Sequence, residues 1–507
     1  MNSYLPSSII ILLAALTLLS CESSFDSLVD ERLENNPPPE PVSADPGLAD
    51  FNNYVAIGDA LSAGFMDGAL YNDGQQWSVP ALLAEQFALA GGSEAFNQPD
   101  INSELGFNTV VDNPQNGTIL GRFKLDTSIP GPSPTLGGDP IQPFDGDVNI
   151  LNNYAVPGIL LGQLLTPATG GPQSGQNPAF NPFYARFASN PGSSTILGDA
   201  IAAQPSFVTL WIGNNDVLAY AASGASDSSL LTSQNNFNNQ FNAVINQLIN
   251  NTEASGVVAN IPPFLGLALF QAVPYNPIPL DTQAAQQLNT AYTDYNNGLQ
   301  QAVQGGLITQ EEADRRTISF QEGSNAFVMN DETLTDLSAL GLPNIRQSEP
   351  TDLQVLSLGG LLGEDLGNGP FGLQDPVTDE YVLLPSEQQE IETARAGFNA
   401  TIQSAVNGTD RLVLYNTNGN SSAFLDLFGI SDGQPGITVG STALNADFSP
   451  NGVLSTDGVH PNPRGYAILA NEFIRVIEEE FNASIPEVNV LNLPSVQLCA
   501  GDCISEQ

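Results

Sequence analysis

The chain has 507 residues, 41% of them hydrophobic, and its 11 Lys and Arg stand against 55 Asp and Glu for a net charge of -44. That apolar content excludes wholesale disorder, and so anionic a surface repels nucleic-acid phosphate and anionic lipid headgroups, which removes both as partners of the folded part. The acidic excess reads as a solvated surface: no EF-hand or nonapeptide calcium spacing occurs, so no metal and no cofactor is expected.

Residues 9–19 form an apolar run too short to span a bilayer and of the length of a signal-peptide core. It ends in Leu18-Leu19-Ser20-Cys21, which resembles the bacterial lipobox. The resemblance implies a lipoprotein signal peptide over 1–20 and an acylated Cys21 as the first mature residue. No Lys or Arg precedes the run, which departs from the usual pattern, and an ordinary signal with a chance cysteine is the alternative. Residues 21–50 are polar and proline-rich, with Pro37-Pro38-Pro39 and Pro41, and read as a flexible tether. The expected location is the cell envelope, at the outer membrane, with the membrane touched through the lipid alone.

From 51 to 484 short β-rich runs alternate with amphipathic helices, which predicts one α/β domain around a parallel sheet. Tyr54-Val55-Ala56-Ile57 is the first strand, ending at Gly58, and a helix near Ser78 carries Val79, Leu82, Leu83, Phe87 and Ala90 at helical spacing. Phe207 to Ile212 is a continuous apolar run, as a central strand buried on both faces requires. A helix with Phe237, Phe241, Val244 and Leu248 on one stripe follows, and then a strand, Val257-Val258-Ala259, stopped by Pro262-Pro263. Ser386 to Gln389 reads as a capping box opening another helix. Leu412-Val413-Leu414-Tyr415 is the last strand, and a helix from about Pro463 buries Leu469, Phe473, Ile477 and Phe481. Residues 100–150 and 264–380, rich in Gly, Pro, Asn and Asp with a helical pattern at 282–303, read as insertions into this one domain. The tail, 485–507, holds Cys499 and Cys503. In an oxidising compartment that spacing suits a small disulfide; the competing reading, half of a metal site, lacks further Cys or His nearby.

Four segments carry candidate chemistry: Gly58-Asp59-Ala60-Leu61, then Asn153-Tyr154-Ala155-Val156-Pro157-Gly158, then Gly213-Asn214-Asn215-Asp216, then Asp457-Gly458-Val459-His460-Pro461. Each follows a predicted strand or precedes the last helix, and such strand ends converge on one crevice in an open α/β sheet. In order and spacing they resemble the SGNH, or GDSL, hydrolases, esterases and lipases of broad substrate range, over roughly residues 51–484. The resemblance implies a flavodoxin-like three-layer sandwich with a central parallel sheet. It also implies roles: Gly158 through its backbone N–H and Asn215 through its amide as the oxyanion hole, His460 as general base, Asp457 as its orienter. His460 is the only histidine in the chain. Asp216 reads as structural.

At the position of the family's serine nucleophile stands Ala60, and a methyl group cannot attack a carbonyl. Ser62 lies two residues further on, roughly 200° around a helical turn. Direct activation of water by His460 and Asp457 is the other route. The expected function is hydrolysis of carboxylic esters in a small molecule, lipid or glycan; the alternative is a catalytically silent binding protein for acylated glycans or lipids.

Overall fold

The computed structural model describes residues 43–128, 131–419, 424–428, 430 and 436–504. The expected signal segment, Cys21 and most of the tether lie outside the described residues. Near its start the described chain is tied to the far end of the domain: Asp45 N–H donates to Ser484 O (2.9 Å) and Leu48 N–H to Phe481 O (2.8 Å).

Apolar runs without alternation become strands that water does not reach. β1 (Tyr54–Gly58) and β2 (Phe207–Trp211) are buried at every position. β3 (Ser255–Ala259) and β4 (Leu412–Tyr415) complete a four-stranded parallel sheet of order β1-β2-β3-β4. Its register sets Tyr54 beside Phe207, Phe207 beside Ser255 and Leu412 beside Gly256. Along the free edge of β1 runs the segment 152–156. Ala56 N–H donates to Asn152 O, Tyr154 N–H to Ala56 O and Val156 N–H to Gly58 O. Counted as a strand, this segment gives the 2-1-3-4-5 order of flavodoxin-like sheets.

Helices cover the sheet. The four-residue α1 (Ala60–Ala63) follows β1 directly, and α2 (Val79–Leu89), with α6 (Pro463–Phe481) from the chain's far end, packs over the face bearing Phe207 and Trp211. Phe207 meets Phe87 and Phe481 edge-on at 5.7 and 5.4 Å, and Trp211 meets Phe473 at 5.6 Å. Val208 and Leu210, pointing the other way, are as fully buried, which demands a second helical layer. α3 (Asn215–Ala222), α4 (Gln234–Asn251) and α5 (Pro385–Val406) supply it, α4 and α5 stacking Phe237 on Phe398 at 4.1 Å. Among the described residues no helix is long and apolar enough to cross a membrane.

Three local expectations need correction. The apolar run at 207–212 outlasts its strand, which ends at Trp211. α5 opens at Pro385 rather than Ser386, because proline's fixed φ suits a first helical position; Glu387 then reaches back to the Leu384 N–H at 2.7 Å. The pattern at 282–303 is two helices, Thr282–Ala291 and Thr293–Gln304, broken at Tyr292, whose hydroxyl donates to Leu373 O.

The second insertion has an apolar core of its own, in which Leu299, Phe327, Leu358 and Val377 are wholly buried. It also encloses a charge: Arg346, fully buried, donates to Asp331 through Nε (2.5 Å) and to both oxygens of Asp352 (2.7 and 2.8 Å). The tail docks on the hairpin formed by Leu120–Asp126 and Gly131–Leu136. Leu498 pairs with Leu125, Cys503 pairs with Thr135, and the lone lysine, Lys124, meets Asp502 at 2.6 Å. Cys499 and Cys503 are joined by a disulfide, their Cα atoms 5.7 Å apart.

Candidate active site

β1 can end within touching distance of α1 because its last residue has no side chain. A Cβ on Gly58 would stand 2.6 Å from Trp211 O and 2.5 Å from the Ser62 hydroxyl oxygen. Asp59 caps the turn, accepting the Leu61 N–H, and Ala60 begins α1. Ala60, Asn214, Asn215 and His460 line one small cavity of about 30 Å³, walled on its apolar side by Leu61, Leu218, Phe264 and Leu267. Ser62 does not line that cavity; its side chain is buried against Gly58, on the strand side of the turn.

The Asp457–His460 turn runs straight into α6, whose N-terminal amides at Arg464 and Gly465 are capped by Asn462. Asp457 is held four times. Its Oδ1 accepts the N–H groups of Val459 (3.0 Å) and His460 (2.9 Å); its Oδ2 accepts the Gly68 N–H (3.2 Å) and faces His460 Nδ1 at 2.9 Å. Burial works against its charge, but the imidazole and these amides prevail and hold the carboxyl below the usual carboxylate range. Burial likewise opposes a charged imidazole, and the Asp457 carboxylate overcomes it, so His460 titrates above an ordinary histidine. With Nδ1 committed to Asp457, the proton of the neutral ring belongs there, leaving Nε2 as the free base. The Phe65 ring packs edge-on against the imidazole at 5.1 Å.

Asn215 is the first residue of α3, and its amide donates to Ile159 O at 3.0 Å. An amide has two N–H groups, so one remains for a ligand. The bond ties α3 to the loop holding Gly158, whose φ of +73° is a left-handed conformation that glycine adopts without cost. A Cβ there would meet open space, so backbone conformation rather than crowding selects glycine. Gly158 is exposed and is not among the residues that line the cavity. Asp216 is a clamp: its oxygens accept the Leu161 N–H and the Thr232 hydroxyl.

Sequence reasoning missed two carboxylates. Asp59, a buried residue in the cavity wall, accepts from the Asn214 amide at 2.8 Å, and burial pushes it up to about 6. Asp67, in the loop after α1, bonds to the residue before Asp457. Asp59 stands in the Gly58-Asp59-Ala60-Leu61 segment without a role of its own, and Asp67 stands in no recognisable motif.

One group of carboxylates could hold a metal ion among the described residues: Glu332, Asp379 and Glu387, their oxygens within 4.8 Å of one another. None of the three lines the cavity. Burial, reinforced by neighbouring acids, pushes Asp379 up to about 6 and Glu387 up to about 8. A folded-state pKa raised above the unfolded value removes stability as pH rises between the two. Replacing Glu387 by Gln, which still accepts from Leu384, is therefore expected to raise the melting temperature at pH 8–9 and to leave it unchanged near pH 4. Thermal melts across pH check this; a gain as large at pH 4 would contradict it.

The parallel sheet carries the first and third segments at the ends of β1 and β2 and the second along its edge, and the fourth leads into α6; the family this chain matches is one of ester-bond hydrolases. The family described as GDSL-like lipase/acylhydrolase matches residues 54–325, more than half of the chain, and the chain belongs to it. The match spans the first three segments and stops before the Asp457–His460 turn. No curated protein matches. Among solved structures, a catalytic mutant of an acetylxylan esterase from Geobacillus stearothermophilus is similar at 10% identity and a TM-score of 0.31, covering 85% of this chain and 96% of that one. Another mutant, of an acetyl-xylooligosaccharide esterase from Geobacillus, matches at 9% identity and a TM-score of 0.30 over the same shares.

Proposed function

We propose that this chain is an envelope lipoprotein that takes carboxylic esters into the Ala60–His460 cavity and hydrolyses them slowly, with water in place of the missing serine. The observation that carries this is the Asp457–His460 pair, built into a rigid turn and facing the same cavity as Ala60. His460 Nε2 takes a proton from water as its oxygen adds to the acyl carbon. The Gly158 N–H and the free Asn215 N–H meet the oxyanion, and the imidazolium returns the proton to the departing alkoxide, leaving acid and alcohol. A cavity of about 30 Å³ holds about two water molecules, which suits a short acyl group on a glycan or a lipid.

Ala60 itself favours a second reading, a receptor that binds acylated glycans or lipids without cutting them. Hydrolysis of p-nitrophenyl acetate by the purified protein and by His460→Ala separates the two: slow turnover lost with His460 supports the enzyme, and a rate equal to that of His460→Ala supports the receptor.

Anchorage rests on the lipobox-like run before Cys21. Cys21→Ser is expected to move the protein from the membrane fraction to the soluble fraction. A wild-type protein whose mass shows an unacylated N-terminus upstream of Cys21 would contradict it.

A further inference from the structure

Behind the Asp457–His460 turn lies a buried charge network that the reaction above does not use. Asp67, 5% exposed, sits at φ +56° and Gly68 at φ +72°, a left-handed pair. Such backbone costs free energy at a non-glycine residue and persists only where its surroundings hold it. Here the hold is on the catalytic turn. The Asp67 N–H donates to the Ser455 hydroxyl (3.1 Å), and its Oδ1 accepts both the N–H (2.9 Å) and the hydroxyl (2.7 Å) of Thr456. The next amide, Gly68 N–H, donates to Asp457 Oδ2, the oxygen that faces the imidazole. Oδ2 of Asp67 in turn accepts the Tyr71 hydroxyl (2.7 Å) and meets Arg122 at 3.6 Å, with that guanidinium lying over the Tyr71 ring.

We propose that Asp67 is a positioning residue for His460: its carboxylate fixes the turn at Thr456, its backbone N–H and that of Gly68 hold Ser455 and Asp457, and its negative charge favours the protonated imidazole. Asp457 faces the ring at 2.9 Å, the charge of Asp59 at the end of β1 also favours the protonated ring, and the Phe65 ring is neutral. Burial keeps the Tyr71 and Tyr466 phenols un-ionised, so neither adds charge. Arg122 is the cation facing this group, and it reaches the turn only through Asp67. Burial pushes the Asp67 carboxyl above its usual range, opposed by Arg122 and the Thr456 bonds; where it is ionised, its loss removes an anion and leaves Arg122 unbalanced, and both changes act against a protonated imidazole.

Asn adopts left-handed backbone as readily as Asp and accepts from Thr456 through its own carbonyl, so Asp67→Asn removes the charge and keeps the shape. Because His460 is the only histidine, its imidazole protons form a single titrating set in the NMR spectrum of the whole protein. In Asp67→Asn the imidazole midpoint is expected to fall by about 0.5–1 pH unit. In an Ala60→Ser background the acid limb of the kcat/KM profile should fall with it. The inference rests on His460 as the base proposed above, but the imidazole titration does not depend on turnover, so failure of one is distinguishable from failure of the other. If Asp67→Asn does not fold, the double variant Asp67→Asn/Arg122→Met removes both charges of a buried pair, a change that is often neutral for stability. There the fall is smaller and of the same sign, since Asp67 is the nearer charge. A midpoint that is unchanged or raised in whichever variant folds overturns the proposal.

Discussion

Ala60→Ser is expected to raise ester hydrolysis by on the order of 10³- to 10⁶-fold, and adding His460→Ala to abolish the gain. The range follows from serine proteases: loss of the nucleophile costs about two-million-fold in kcat, while oxyanion hole and binding alone retain roughly a thousandfold over water. The other parts stand ready. Asp457 already meets Nδ1 at 2.9 Å, Nε2 is free, and the Asn215 amide has a donor to spare. The substitution adds one oxygen at the first position of α1, where serine is as acceptable as alanine beside the Asp59 cap. Initial rates on p-nitrophenyl acetate measure the gain. No rise, with the fold intact, would mean that the cavity has been remodelled for binding; a rise that survives loss of His460 would mean that another group is the base.

The largest expected loss of stability lies away from the site, at Arg346. Its guanidinium is wholly buried between Asp331 and Asp352, both also buried. Burial opposes the Asp331 charge, but the Thr333 and Arg346 bonds prevail and hold that carboxyl below the usual range. Arg346→Met leaves buried Asp352 without a cation and Asp331 with only the partly exposed Arg315, 3.4 Å away, which is expected to cost about 3–5 kcal/mol in denaturant unfolding. Adding Asp331→Asn and Asp352→Asn removes the stranded charges and should recover much of that loss. A cost below about 1 kcal/mol for Arg346→Met would show that water reaches the triad and screens it.

The sheet was legible because burial on both faces leaves a simple mark: largely apolar runs at 54–57, 207–212 and 412–415, each followed by Gly or Asn. The helices that cover it were legible from one stripe each, as in Phe237, Phe241, Val244 and Leu248. The edge segment 152–156 was not, since it pairs with β1 on one side only and carries Asn152 and Asn153 where a strand would carry apolar residues. The core of the second insertion escaped for a related reason. Leu299 belongs to the helical pattern read at 282–303, but Phe327 and Val377 lie outside helices, beside a three-residue strand too brief to show a period.

At the site, residues announced by motifs were readable as candidates, and Ala60, Asn215, Asp457 and His460 come together in one place. Gly158 is not part of the cavity lining. What position in the chain could not reveal were partners hundreds of residues apart, such as Asp67 with Thr456 or Asp59 with Asn214. Such contacts are made by tertiary folding, and a lone Asp in a turn signals only the turn.

The central claim is that this cavity is a serine-hydrolase site complete but for one hydroxyl. An organophosphonate that phosphonylates activated serines tests it most directly, read out by intact mass and peptide mapping. Ala60→Ser should gain a single adduct on residue 60, while the unmodified protein and Ala60→Ser/His460→Ala should gain none. An adduct on Ser62 of the unmodified protein, or no adduct on folded Ala60→Ser, would contradict the account.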